Sequence, residues 1–201
     1  MHWLMKGVVS ATLLGTGAFA FAGADQITFE DLATAGASTS DIADGYTSMG
    51  YLFHNPDSAG ESNAFAIWQT EHPFYPGSTA LFNNGFGETT RLTRVDAGAF
   101  DMLSIDLCDA YLDPNEYDIE FVGTRADAST VSNTFSITDG TTLNTFLFTG
   151  MTNIVKLEWV QGPDFVHQFD NVTLNPTVVP EPATMAALGL GAAAMLRRRR
   201  R

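Results

Sequence analysis

The chain has 201 residues and a formal net charge of −13, but five of its ten basic residues are the last five, Arg197, Arg198, Arg199, Arg200 and Arg201, and Lys6 sits in an apolar leader. The body from Asp25 to Pro176 holds only Arg91, Arg94, Arg125 and Lys156 against 22 acidic side chains, a formal −18; this disfavours nucleic-acid partners, whose phosphates need clustered Lys and Arg, and favours multivalent cations or neutral polymers. An apolar content of 45% with 15 Phe argues against disorder, and the single cysteine, Cys108, excludes a disulfide framework and a multi-thiolate metal site.

In chain order, Met1 to Ala24 has the form of a secretory signal peptide. Lys6 supplies the charged start, Gly7 to Phe21 an apolar run, and Ala22 and Ala24 the small residues at A-x-A spacing. Cleavage before Asp25 fits best, and a cut after Ala22 uses the same small-residue exit. Export by the Sec machinery is the expected consequence.

Residues 25–174 are expected to form one all-β domain. Ile27–Phe29 opens it, and Ala33 to Ser48, rich in Ala, Ser, Thr, Asp and Gly, reads as an early surface loop. Ala64–Trp68, Thr79–Phe82 and Thr89–Val95 are the next candidate strands. Leu103, Ile105 and Leu107 then alternate with Ser104 and Asp106, and Tyr117, Ile119 and Phe121 with Asp118 and Glu120. Thr134–Ile137 and Leu143–Phe148 follow, Val155, Leu157 and Trp159 alternate with Lys156 and Glu158, and Val166–Leu174 closes the series. This period of two gives each strand one apolar and one polar face, as an antiparallel sheet with one solvated side requires. Asn84-Gly85 and Asp139-Gly140 read as hairpin turns, and Asp113-Pro114-Asn115-Glu116 separates two further strands. Short strands so spaced predict a two-sheet antiparallel β-sandwich, with a jelly roll as the expected topology.

Residues 175–179 are read as a linker. Pro180-Glu181-Pro182 is followed by fourteen uncharged residues, Ala183 to Leu196, and then by the five arginines. As a helix the apolar run measures roughly 21 Å, short of the roughly 30 Å hydrocarbon core, and the arginines should hold its end on the cytoplasmic side. The tail is thus expected to be a short membrane helix that holds the body outside the inner membrane. Val179 to Thr184, the Ala/Leu/Gly run and the terminal Arg197, Arg198, Arg199, Arg200 and Arg201 together resemble the PEP-CTERM sorting signal of exported bacterial proteins. That resemblance implies recognition of Pro180, Glu181 and Pro182 by exosortase, a membrane transpeptidase-like enzyme. It also implies removal of the tail, release or attachment at the cell surface, and a bacterium that makes extracellular polymeric substance.

The body has its own likeness. Ile27 to Leu32 (Ile-Thr-Phe-Glu-Asp-Leu), Asp44 to Tyr46 (Asp-Gly-Tyr) and Phe169 to Thr173 (Phe-Asp-Asn-Val-Thr) resemble segments of exported proteins whose domains look like galactose-binding-like jelly rolls of the carbohydrate-binding-module sort. The resemblance implies a structural calcium between first and last strands, with Glu30 and Asp170 at the matching positions; the other reading is two unlinked acids. No cofactor is required by this reading. For sugar binding, an aromatic platform is sought in Trp68 to Tyr75. His72 and Tyr75 are the better exposed candidates, whereas Trp68 either joins the platform or completes the core strand. Trp159 reads as core. The acids around Asp109 to Asp118 fail the EF-hand spacing and read as a solvated turn.

Enzymatic signatures are missing: there is no Gly-x-Ser-x-Gly elbow, no His-Glu-x-x-His, no phosphate loop and no complete dinucleotide fingerprint. The expectation is therefore a non-enzymatic exported protein with a structural or adhesive role beside exopolysaccharide. The alternatives are a glycan-recognising module and a polysaccharide hydrolase.

Overall fold

The computed structural model describes residues 23–111, 116–138, 140–162 and 166–176. Nearly all of the segment expected to be a signal peptide, Met1 to Ala24, lies outside the described residues, as do Asp113, Asn115 and Asp139. So does the whole sorting tail: Pro180, Glu181, Pro182, the apolar run to Leu196, and Arg197, Arg198, Arg199, Arg200 and Arg201. Among the described residues the ordered elements are strands and one short 3-10 turn. In chain order they are β1 (Asp25–Ile27), the turn Glu30–Leu32, β2 (Thr39–Ile42), β3 (Tyr46–Ser48), β4 (Tyr51–His54), β5 (Phe65–Trp68) and β6 (Leu81–Asn83). Then follow β7 (Thr89–Arg94), β8 (Phe100–Asp109), β9 (Tyr117–Arg125), β10 (Thr130–Ile137), β11 (Asn144–Leu147), β12 (Ile154–Val160) and β13 (His167–Pro176).

All pairings are antiparallel. The hydrogen-bonded order runs β2-β5-β6-β13-β8-β12-β7-β4-β3, with β1 on β13, β11 on β8, and β9 between β12 and β10. The path narrows to a single residue pair where β12 meets β8, Ile154 opposite Phe100. There the ribbon divides into two halves, one built on β5, β6, β13 and β8 and the other on β4, β7, β12 and β9. Their inner faces meet: Phe169 of β13 packs edge-on against Trp159 of β12 at 5.1 Å and stacks on Phe53 of β4 at 5.9 Å. The architecture is consistent with a β-sandwich. Each aromatic crossing buries large apolar area between the halves, the dominant stabilising term for such a layer pair.

Alternation supplies the inward set. Ile105 and Leu107 of β8, Ile119 and Phe121 of β9, and Leu157 and Trp159 of β12 are all buried in one apolar core. Four local readings are corrected. The supposed loop Ala33 to Ser48 contains β2 and leads into β3, which forms a hairpin with β4. Its two-residue turn, Met49-Gly50, has φ of 50° and 81°, the type I′ geometry that fits strand twist; Met in place of Asn or Asp hides it from composition. Asn84-Gly85 is no hairpin turn, because β6 pairs with β5 and β13 while β7 pairs with β4 and β12. Likewise Asp139-Gly140 joins strands that do not pair with each other: β10 lies on β9 and β11 on β8. The hairpin that does form there joins β9 to β10. It closes through Arg125 N–H on Ser129 O (2.9 Å) and Ala128 N–H on Arg125 O (2.9 Å), with Ala128 at a φ of 66°. Finally β13 runs through Asn175 and Pro176, which the sequence reading places in the linker.

Candidate functional site

The strand β5 points Phe65 and Ile67 into the main core and Ala66 and Trp68 the other way, where Ala66 joins Phe82, Ala110 and Val166 in a second, smaller apolar cluster under Trp68. The indole Nε1–H donates to Ala110 O at 3.0 Å, which fixes the ring. His72 stacks on it with centroids 4.0 Å apart and planes 7° from parallel. Phe74 and Tyr111 then meet the indole edge-on at 6.3 and 5.5 Å, and meet each other at 5.8 Å. Trp68 is therefore not a free platform: one side carries His72 and the other leans on Phe82 at 4.8 Å. What faces solvent is the rim of this stack, above all Tyr111, 43% exposed.

The loop after β5 is held from below. Gln69, buried, donates through Nε2 to Leu32 O and Ser40 Oγ, both at 3.0 Å, and accepts from Thr34 N–H at 2.9 Å. Phe74 N–H donates to His72 Nδ1 at 3.2 Å, so the neutral ring carries its proton on Nε2. Burial keeps the His72 pKa below its ordinary value, and the neutral ring stacks without desolvating a charge. Gln168 of β13 donates to Phe74 O at 3.2 Å and Asp109 O at 3.1 Å, tying the loop to the sheet.

Two residues further along β13 lies Asp170. Ser78 Oγ sits 2.7 Å from Asp170 Oδ2 and 2.9 Å from Glu30 Oε1. Thr79 completes the Glu30 shell, donating its N–H to Oε1 at 3.1 Å and its hydroxyl to Oε2 at 3.0 Å. Burial raises the Glu30 carboxyl, but these three donors outweigh it and its pKa is lowered. Asp170 is fully buried. Burial, with the charges of Glu30 and Asp106 added, pushes its carboxyl up to about 6. Ser78 has one hydroxyl proton for two carboxylates, so it serves Glu30 or Asp170 but not both at once, and its bond to Asp170 only partly offsets the effect of burial. Its Oδ1 has no hydrogen-bond partner among the described residues.

The structure thus brings Glu30 and Asp170 together across 140 positions of sequence, although no group of three or more His, Cys, Asp or Glu suited to a metal occurs among the described residues. Tyr75 donates its N–H to His72 O at 3.1 Å; burial, with the charges of Glu30 and Asp170, pushes its phenol up. Sequence reasoning does not single out Tyr111 or Phe74, and Tyr111 stands at the far side of β8, with no local pattern linking it to Trp68. His54, isolated in sequence, is paired through Nδ1 with Asp44 at 2.8 Å. His167 is fully buried, its ring nitrogens without partners among the described residues, and burial pulls it down to about 3. Cys108 is buried beside Gln168, and burial pushes its thiol up. Trp159 is core, 1% exposed. A separate open groove of about 570 Å³ at the edge of β9 and β12 has Asp118, Glu120 and Glu158 on its lining.

Residues 178–201 match the PEP-CTERM protein-sorting motif. The match takes in Pro180, Glu181 and Pro182 at its start and Arg197, Arg198, Arg199, Arg200 and Arg201 at its end. The chain carries this motif, which marks it for export and exosortase-dependent surface sorting. No helix among the described residues is long and apolar enough to cross a membrane. In structure the chain is similar to a family 29 carbohydrate-binding module, with 13% identity over 72% of this chain and 94% of that one and a TM-score of 0.41. A variant of such a module complexed with cellulohexaose gives 13% identity, coverage of 69% and 90%, and a TM-score of 0.41. An exo-beta-agarase gives 11% identity over 78% of this chain but 25% of its own, with a TM-score of 0.40. No curated protein matches the chain in sequence.

Proposed function

We propose that this is an exported protein, cut by exosortase at Pro180-Glu181-Pro182, whose acidic β domain serves as a non-enzymatic structural or adhesive component of the exopolysaccharide outside the cell. The observation that carries the reading is the sorting motif at 178–201 joined to a single acidic β body. Replacing Pro180 and Pro182 by Ala should trap the unprocessed chain in the inner membrane, read by fractionation and by the mass of the product; normal processing of that variant would overturn the sorting part.

The aromatic rim favours a second, more specific reading, recognition of a glycan. A pyranose offers an apolar face that packs on aromatic rings, and Tyr111 and the outer side of His72 are fixed from behind by Trp68 and Phe74, so little side-chain entropy remains to be lost on binding. Pull-down of the native exopolysaccharide should succeed with the wild type and fall at least tenfold with Tyr111→Ala. Binding unchanged in Tyr111→Ala would remove the rim as the site.

A structural calcium fits the same side of the domain. It would take Glu30 and the unpartnered Asp170 Oδ1 as its carboxylates, with backbone and water oxygens making up the six to eight such an ion needs. Calcium against EGTA should raise the melting temperature of the wild type by mass action and leave Glu30→Gln unmoved. An equal shift in both proteins would remove Glu30 and Asp170 as the site.

A further inference from the structure

The basic residues of the body are confined to one half of the molecule. Arg91 and Arg94 lie on β7, Arg125 on β9 and Lys156 on β12, whereas the sequence from Asp25 to Thr90, which builds β1 to β6 and the His72 loop, holds no lysine or arginine. Nor do β8, β11 and β13, which complete the half that carries the aromatic rim. The cations are also occupied where they stand. Arg91 and Lys156 share Glu158 at 2.7 and 2.6 Å, Arg94 binds Asp96 at 2.6 Å, and Arg125 donates to the Gly150 and Thr152 carbonyls at 3.1 and 3.3 Å. Around the rim the charges are Glu71 beside His72 in sequence, exposed, and the Glu30 and Asp170 pair, whose charges reach Tyr75. His72 adds no positive charge, because its ring is stacked and neutral. Any ligand seated on Tyr111 and His72 meets a negative field with no Lys or Arg among the described residues of the same half to offset it.

We infer that the aromatic rim is charge-selective: it takes glycans that bear amino groups in preference to neutral ones, and rejects uronate or sulfated polymers. This rests on the glycan-binding reading and assigns its ligand class. The preference is a long-range effect of carboxylates, the exposed Glu71 and Glu30 first among them, so salt narrows it as the screening length falls to about 10 Å near 0.1 M. The apolar contact with the rings is left in place by salt.

The test uses the full-length protein in detergent, with three oligosaccharides of equal length as probes: a glucosamine oligomer, cellulohexaose and an oligouronate. Titration at low salt should rank them in that order, with the oligouronate at least tenfold weaker than cellulohexaose. Raising the salt should bring the three together, and Tyr111→Ala should weaken all of them; circular dichroism of that variant, altered at a half-exposed position, checks its fold. An oligouronate that binds as tightly as cellulohexaose through Tyr111 would overturn the charge selection and leave glycan recognition standing. Glucosamine binding that survives both Tyr111→Ala and His72→Ala would show a diffuse attraction to the acidic surface, and would overturn the rim as the selective element. If none of the three binds, glycan recognition itself falls.

Discussion

The two halves of the sandwich solve the problem of excess acid in different ways. On the β7–β12–β9 half, Glu158 is answered by cations: it lies between Arg91 and Lys156, and although burial raises it, its pKa is lowered by these two neighbours. Among the described residues the β13–β8 half has no Lys or Arg, and its carboxylates are answered by hydroxyls, a backbone N–H and a side-chain amide, from Ser78 and Thr79 to Glu30 and from Asn171 Nδ2 to Asp106 at 2.8 Å. Burial, with the charges of Glu30 and Asp106, outweighs the one hydroxyl that reaches Asp170, and its carboxyl rises to about 6. Ion pairing offsets Glu158 on one half; the other half has no such pair beside its exposed aromatic rim. The difference teaches where a ligand would feel this protein's charge.

The joint between the halves should be the most sensitive point. Phe169 touches Phe29, Phe53 and Trp159 at 5.7, 5.9 and 5.1 Å; Phe169→Ala should cost about 3–5 kcal/mol by lost transfer energy and cavity formation, read by chemical denaturation. A loss below about 1 kcal/mol would mean that the halves do not depend on this contact.

A smaller, pH-dependent effect separates the acid-only half from the paired one. The folded pKa of Asp170 lies above that of an ordinary aspartate, so the folded state binds more protons. Its contribution is complete below about pH 4 and is lost as the pH rises through about 6. Asp170→Asn should therefore gain stability over the wild type at pH 8 by a few degrees of melting temperature, about 1 kcal/mol being worth about 2–8 degrees in domains of this size range, and little at pH 4. An equal change at both would show a packing effect instead. His167, on the same strand, has the opposite sign. Its depressed folded pKa of about 3 gives a contribution present above about pH 6.5 and lost as the pH falls toward 3. His167→Gln should flatten the acid side of the stability profile.

The smallest effect is expected in the paired half. Glu158→Gln removes a partly exposed partner of two cations and should cost about 0–1 kcal/mol, as surface pairs do, while leaving the binding of cellulohexaose unchanged. A large loss of binding would move the site to the β9–β12 groove.

Much of the strand pattern was legible in the residues themselves. The alternations Leu103 to Leu107, Tyr117 to Phe121 and Val155 to Trp159 became β8, β9 and β12 because a half-buried strand requires a period of two. What could not be read was pairing, which depends on partners far apart: Asn84-Gly85 has hairpin chemistry, yet the chain there crosses from one half to the other. Strand β2, Thr-Ser-Asp-Ile, is polar because it forms an end of the pairing order, with β5 as its partner, and composition made it look like loop. The candidate site divides in the same way. Trp68, His72 and Phe74 lie within one short segment and could be found there, whereas Tyr111 joins them only through the fold, and Ser78 meets Asp170 across 92 positions. Why Ser78 stands between the two acids could only be seen once β13 and the turn after β1 were in place.

The course of β13 has a mechanical consequence. It is an interior strand, paired along its length with β8 from His167 opposite Asp109 to Pro176 opposite Phe100, and flanked on its other side by β1 and β6. Pro176 is only four residues from Pro180, a reach of at most about 14 Å, so whatever grips the sorting motif works almost flush against the folded body. A protein tethered there takes tension along β13, where neighbouring backbone bonds must shear together rather than unzip singly from an edge. The strand that joins the two halves by its aromatic side chains is also the one that would bear the load of attachment.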